Sequence, residues 1–367
     1  MKNSFGNAIQ LTLFGESHGQ EIGCVLDGLA PGMHISEERI AHFLSLRRPV
    51  GKISTPRREP DPFRIVSGVC RGRSTGTPLC ILIPNMTQRS ADYETETKLR
   101  PGHADFTAQM KYHGFQDTRG GGHFSGRITA PLVAAGAILS AALEEKGIRI
   151  GTHILSCAGI SDRLFGKTEE DLDLLSQSVF PVLDPVKAER MQEAILRAAE
   201  DGDSVGGVLE TCVLGMPAGV GEPWFDSLES MLSHALFSIP AVKGVEFGAG
   251  FAISSMRGSE ANDPISVTEE GKIETVTNRN GGINGGISNG MPLIFRCAVK
   301  PTPTISKKQN TVDLQSGKGC VHAFAGRHDP CIVHRARIVA DAMTALVLAD
   351  LLTERFGTDF LSSENGK

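Results

Sequence analysis

The sequence predicts an α+β fold, a single large domain built from two similar halves. Three observations predict it. The chain matches itself in order at several places, aliphatic and β-branched runs are bounded by glycine, and helix-like segments open on serine or threonine. With 367 residues, 40% of them hydrophobic and 22% charged, it can bury a large core, and no low-complexity block interrupts it. Residues 1–360 are expected to form the domain, with pseudo-repeats at about 8–150 and 195–350 and a frayed tail at 361–367.

The first pair of matched segments is "GESHGQEIGCVLDGLAPG" (15–32) and "GDSVGGVLETCVLGMPAG" (202–219). Each opens on Gly, acid, Ser, continues as a strand, and ends in a Pro and Gly turn. The next elements are helices: Ser36 and Ser227 are side-chain N-caps, each followed thirteen residues later by a proline, Pro49 and Pro240. Then "STGTPLCILIP" (74–84) and "SNGMPLIFRCAVKP" (288–301) read as strands entered from Gly-containing turns. Positions where the copies differ point to chemistry. His18 faces Val205, and Arg47 and Arg48 face Ser238 and Ile239, so folding alone does not require the charged residues.

The longest apolar run, "ITAPLVAAGAILSAAL" (128–143), predicts a buried helix from Thr129 to about Gly147; it is shorter than a bilayer requires, and no membrane segment is expected. A net charge of −5 argues against nucleic-acid binding. Locally, however, Arg47, Arg48, Lys52, Arg57 and Arg58 lie within 47–58 without an acidic residue, which suits a small polyanion. The eight cysteines contain no C-x-x-C pair and the N-terminus carries no secretory pattern, so a reducing cytoplasm is expected.

Before the long helix stands "RGGGHFSGRITAP" (119–131). Three glycines followed by Ser125 and Arg127 suit either an anion cradle at a helix N-terminus or a flexible turn. It is neither a Walker A loop nor a dinucleotide fingerprint, because Arg127 and Ile128 replace Lys and Ser/Thr, and Ser125 breaks G-x-G-x-x-G. "RPGHAD" (100–105) places Arg100 and His103 in a loop where Asp105 can orient the imidazole. The cluster "CVHAFAGRHDPCIVHR" offers Cys320, His322, His328, Asp329, Cys331 and His334, but in no usual zinc spacing; its other reading is a turn presenting Arg327 and Asp329 to a cleft. Taken together, these residues describe an enzyme acting on a polyanion with His acid/base groups and no assigned metal.

The ordered stretches "FGESHG", "RRP", "RREPD", "QRSADY", "RPGHAD", "GDSVGG", "GEPWFD", "AVKGVEFG", "RGSE", "GGINGGISNG", "KPTPTI" and "GRHDPC" resemble the chorismate synthase family over nearly the whole chain. The resemblance implies a β-α-β sandwich of repeated halves, a homotetramer, and conversion of 5-enolpyruvylshikimate 3-phosphate to chorismate and phosphate by a 1,4-anti elimination dependent on reduced FMN. It assigns His18, His103 and Asp329 to catalysis and Arg47, Arg48, Lys52, Arg100, Arg127 and Arg327 to the substrate. Flavin contacts are implied at His123, Phe124, Ser125, Ala241, Gly285, Lys300, Pro301, Thr302, Pro303, Thr304 and Arg327. No dinucleotide fingerprint accompanies them, so an external flavin reductase is expected rather than reduction by NADPH or NADH bound to this chain.

The sequence departs from the common family pattern at His123, Phe124, Gly126 and Ile128, and also at Pro240, Pro303, Ile338 and Asp341. These changes bear on the detailed flavin contacts, not on the chemistry. Two rival readings stand beside it: a flavin-binding homologue that has lost catalysis, and a zinc-dependent hydrolase using the C-terminal His/Cys cluster.

Overall fold

Alternation of apolar and half-exposed residues sets the strands in place. In the computed structural model, which describes residues 2–49, 51–55, 60–86, 97–176, 178–324 and 329–363, the first half supplies β1 (Ser4–Phe5), β2 (Gln10–Gly15), β3 (Glu21–Asp27), β4 (Arg64–Ser67) and β5 (Leu79–Pro84). They form an antiparallel sheet in the order β1-β2-β3-β5-β4. The register places Ile22, Cys24 and Leu26 opposite Ile83, Ile81 and Leu79, so one face carries all six into the core.

The second sheet is assembled the same way. Its strands are β6 (Arg149–Cys157), β7 (Ile160–Ser161), β8 (Gly207–Leu214), β9 (Val242–Phe247) and β10 (Leu293–Val299), ordered β9-β10-β8-β6-β7 and antiparallel throughout. Leu293, Phe295, Cys297 and Val299 of β10 are buried in alternation with half-buried neighbours. The matched segments occupy corresponding places: β3 pairs with β5 as β8 pairs with β10.

The helices are α1 (Glu37–Leu46), α2 (Asp105–Tyr112), α3 (Thr129–Glu145), α4 (Thr168–Ser176), α5 (Pro185–Glu200), α6 (Leu228–Ser238), the single turn α7 (Gly258–Ala261) and α8 (Val333–Phe356). Ser36 accepts from the Arg39 N–H and Ser227 from the Ser230 N–H, each at 3.1 Å, so both serine caps stand where the sequence placed them. Helix α3 packs on β3 and β5 and against α8; α8 packs on β6 and β8. Helices α3 and α8 lie between the two sheets and form the middle layer of a β-α-β sandwich, the α+β architecture expected.

The α3–α8 crossing depends on Gly136. A methyl group there would stand 2.5 Å from the Ala342 Cα and closer to its Cβ, so the helix backbones can approach only without one. At the other end of α8, the buried Asp350 carboxylate accepts from the N–H groups of Asn7, Ala8 and Ile9, tying the N-terminal strand to the C-terminal helix.

Two expectations need correction. With the 3-10 turn before it, α3 extends the helical stretch to Gly126–Glu145, long and apolar enough by composition to cross a bilayer, yet most of it is buried within this fold. Residues 361–363 do not fray. Leu361 is buried, the Ser362 carbonyl accepts from Lys146 Nζ at 3.0 Å, and the Ser363 hydroxyl accepts from the His34 N–H at 3.1 Å.

Candidate active site

One cavity of about 900 Å³ lies where the halves meet. Its walls come from the ends of β2 and β5, the loops on either side of α2, the turn from α6 into β9, the segment after β10, and the first turns of α3 and α8. Such a volume is near the upper end of the roughly 300–1,000 Å³ of ligand pockets.

The glycine stretch 120–122 lies against this cavity for a steric reason. Gly120 has φ +64, and a methyl group there would stand 2.7 Å from His18 Nδ1 and nearer to Cε1. Only glycine lets the loop close over the imidazole. His18 is buried, with Nδ1 3.0 Å from the Ser17 hydroxyl. His123 ties the same loop to β2 by donating from Nδ1 to the Gly15 carbonyl at 2.8 Å. Ser125 caps the short 3-10 turn Gly126–Ile128 by accepting from the Arg127 N–H at 3.2 Å.

His103 and Arg100 share Asp105. His103 Nδ1 donates to Oδ1 at 2.7 Å; Arg100 reaches Oδ2 through Nε at 2.8 Å and Oδ1 through Nη2 at 2.6 Å. Burial by itself would raise the Asp105 carboxyl, but hydrogen bonds from Arg100 and His103, with their charges, hold it well below the usual carboxylate range. Asp105 is therefore anionic and orients the ring. A smaller chamber of about 120 Å³, lined by Gln109, Gln116 and Thr118, lies behind this pair.

The other cations are paired as well. Asp61 is buried and bridges two arginines: Arg47 Nη2 donates to Oδ2 at 3.1 Å, and Arg127 Nη1 meets Oδ1 at short range. Arg127 Nε also donates to Asn85 Oδ1 at 3.0 Å. Asp329 accepts from the Thr55 N–H at 2.8 Å and from Arg335 Nη1 at 2.6 Å, while Arg335 Nε donates to the Arg47 carbonyl at 2.8 Å.

On the opposite wall, Lys300 Nζ donates to the Gly102 carbonyl at 2.5 Å. Desolvation, aided by the like charge of Lys243, pushes the Lys300 ammonium down from its ordinary value. Within the described residues the buried Thr302 hydroxyl has no hydrogen-bond partner. Ala241, also on the wall, has φ +77, an unusual conformation for a residue with a side chain.

Residues 9–353 match the family model described as chorismate synthase. The chain belongs to the chorismate synthase family. It is 48% identical to the chorismate synthase of Dehalococcoides mccartyi (strain ATCC BAA-2100), with 96% of each chain covered. It is 44% identical to that of Aeropyrum pernix over 96% of this chain and 93% of the relative. The fold is similar to a crystal structure of chorismate synthase with TM-score 0.78 and 30% identity, covering 98% of this chain and 96% of the other.

Within this family frame, the cavity brings together His18, His103, Asp329, Arg47, Arg100 and Arg127 with His123, Phe124, Ser125, Ala241, Lys300, Thr302, Pro303 and Thr304. Four expected residues stand elsewhere. Arg48 is turned away and donates to the Pro60 carbonyl; Lys52 is exposed on the turn Gly51–Ile53. Pro301 is exposed and off the wall, and Gly285 sits at an exposed hairpin tip between Ile283–Asn284 and Ile287–Ser288. Arg327, Arg57, Arg58 and His328 lie outside the described residues.

Among the described residues, including those of the C-terminal cluster, no group of three or more His, Cys, Asp or Glu side chains could hold a metal. Cys331 faces Cys157 at 3.7 Å, His334 Nε2 lies 2.8 Å from the Ser54 hydroxyl, and His322 packs edge-on to Phe324. Sequence reasoning missed Asp61, Asn85 and Arg335. Asp61 had one available signal, its place between Pro60 and Pro62 inside "RREPD".

Proposed function

We propose that the protein converts 5-enolpyruvylshikimate 3-phosphate to chorismate and phosphate with reduced FMN. The observation that carries this reading is the convergence of His18, His103 and Asp329 with Arg47, Arg100, Arg127, Arg335 and Lys300 around one cavity. A substrate with a phosphate and two carboxylates needs several cations, and burial strengthens each attraction.

The wall after β10 fits a flavin phosphate. Lys300 and Lys243 lie close enough to repel, and the Thr302 hydroxyl has no partner among the described residues, so an anion would relieve both. Lys300, Thr302 and Thr304 would hold that phosphate. His123, Phe124, Ser125, Ala241 and Pro303 would line the remainder, with Arg327 assigned by resemblance. Reduced FMN, when bound, supplies electron density transiently and recovers it, leaving no net redox change.

The chain's own groups handle anions and protons. Arg47, Arg100 and Arg127 bind and orient the substrate. His18 donates a proton to the departing phosphate, Asp329 takes part in removing the substrate proton, and His103, oriented by Asp105, carries a proton on the flavin side of the cavity. The phosphate and one proton leave, and a new carbon–carbon double bond forms.

The test is anaerobic chorismate formation with dithionite-reduced FMN in wild type and Asp329→Ala. Turnover should require reduced flavin and fall about 10²–10⁴-fold in the variant; absence of turnover in folded, FMN-binding wild type would refute the assignment. We place the enzyme in the cytoplasm as a homotetramer supplied by an external flavin reductase. Support for assembly comes from the exposed Trp224, Phe225 and Phe251, since large exposed apolar side chains mark interaction surfaces.

A further inference from the structure

Asp61 combines three properties. Its carboxylate is buried, it bridges the guanidinium groups of Arg47 and Arg127, and it lies on the cavity wall. Its backbone has φ +47, a left-handed conformation adopted immediately before Pro62. A residue preceding proline is driven towards extended backbone, and left-handed backbone costs a side-chain-bearing residue about 1–2 kcal/mol. Strain of this kind persists only where surrounding structure compels it, and it clusters at ligand clamps. Here the compelling contacts are the two arginines, one from the end of α1 and the other from the turn before α3.

We infer that Asp61 is a positioning residue that occupies Arg47 and Arg127 as an internal anion and sets how tightly this pair takes an oxyanion from the cavity. The inference rests on the reading of the cavity as a polyanion site. One carboxylate between two guanidinium groups leaves a net charge of +1 on the three side chains. An incoming phosphate or carboxylate therefore shares donors that are already aligned, and it meets the like charge of Asp61 at close range. Asp61 thus trades affinity for geometry: it weakens anion binding while keeping both forks where the substrate needs them.

The experiment uses the full chain without flavin or substrate, as wild type, Asp61→Asn and Asp61→Glu, titrated calorimetrically with inorganic phosphate and, separately, with malonate. Asp61→Asn should bind at least one of these anions about tenfold or more tightly than wild type; Asp61→Glu, which keeps the charge, should not. The anion showing the larger gain identifies whether phosphate or carboxylate seats there. In turnover assays Asp61→Asn should lose kcat without a rise in KM. A residue with only a folding role would give equal or weaker anion binding, and that result overturns the inference. Should Asp61→Asn fail to fold, recovery on refolding in phosphate but not in chloride of equal ionic strength supports the inference, and no recovery overturns it. Anion binding needs no catalysis, so it fails or stands separately from chorismate formation.

Discussion

Replacing Gly120 by alanine adds one methyl group directly against His18. The new Cβ would lie 2.7 Å from Nδ1 and closer to Cε1, against about 3.5–4.0 Å for a comfortable contact, so the ring or the loop must move by about 1 Å. A misplacement of that size at a reacting group costs about 10²-fold in rate. Independently, φ +64 imposes a backbone penalty of about 1–2 kcal/mol on alanine. Gly147→Ala separates the two effects, since Gly147 has φ +78 with nothing within 4 Å of its added methyl and lies off the cavity wall. Urea denaturation should show the backbone loss in both variants, with up to about 3 kcal/mol more in Gly120→Ala from the crowding against His18, whereas chorismate formation should collapse only in Gly120→Ala. Equal turnover in the two would refute the steric coupling between the glycine loop and His18.

Asp105→Asn should lower kcat about 10²-fold at neutral pH, because His103 and Arg100 lose their shared anion. Its pKa is depressed in the fold, so its contribution to stability is fully present above the unfolded value of about 3.9 and is lost as pH falls towards the folded value. Acid denaturation of the variant should lack that part of the slope below about pH 4. Gly136→Ala should destabilise the fold by up to about 3 kcal/mol through overpacking against Ala342, partly offset by about 1 kcal/mol of helix propensity, with kcat unchanged; denaturation midpoints with turnover at saturating substrate check both parts. Replacing Trp224 and Phe225 together by serine should shift the sedimentation of the proposed homotetramer to smaller species, and an unchanged profile would remove that surface from the proposed interface.

Much of the fold was legible because its signals are local. Ser36 and Ser227 cap helices through bonds spanning three residues, the strands carry their period of two, and the Ala-rich run 128–143 is apolar but for Thr129 and Ser140. The His103–Asp105 pair was legible for the same reason, lying two residues apart. The arginines were legible as cations but not by the partners they keep.

The sequence by itself determined the α+β class, the capped helices, the glycines that permit left-handed turns, and a cavity chemistry of histidines and arginines. Tertiary structure alone decided which of those side chains meet. Arg127 reaches Asp61 across 66 positions, Thr55 holds Asp329 across 274, and Arg48 and Lys52, in the same basic run as Arg47, point elsewhere. The physical reason is that a cap or a strand period is an energy of neighbouring residues, whereas an ion pair forms between whichever charges the packed core brings within about 4 Å, and that proximity exists only once the core has formed.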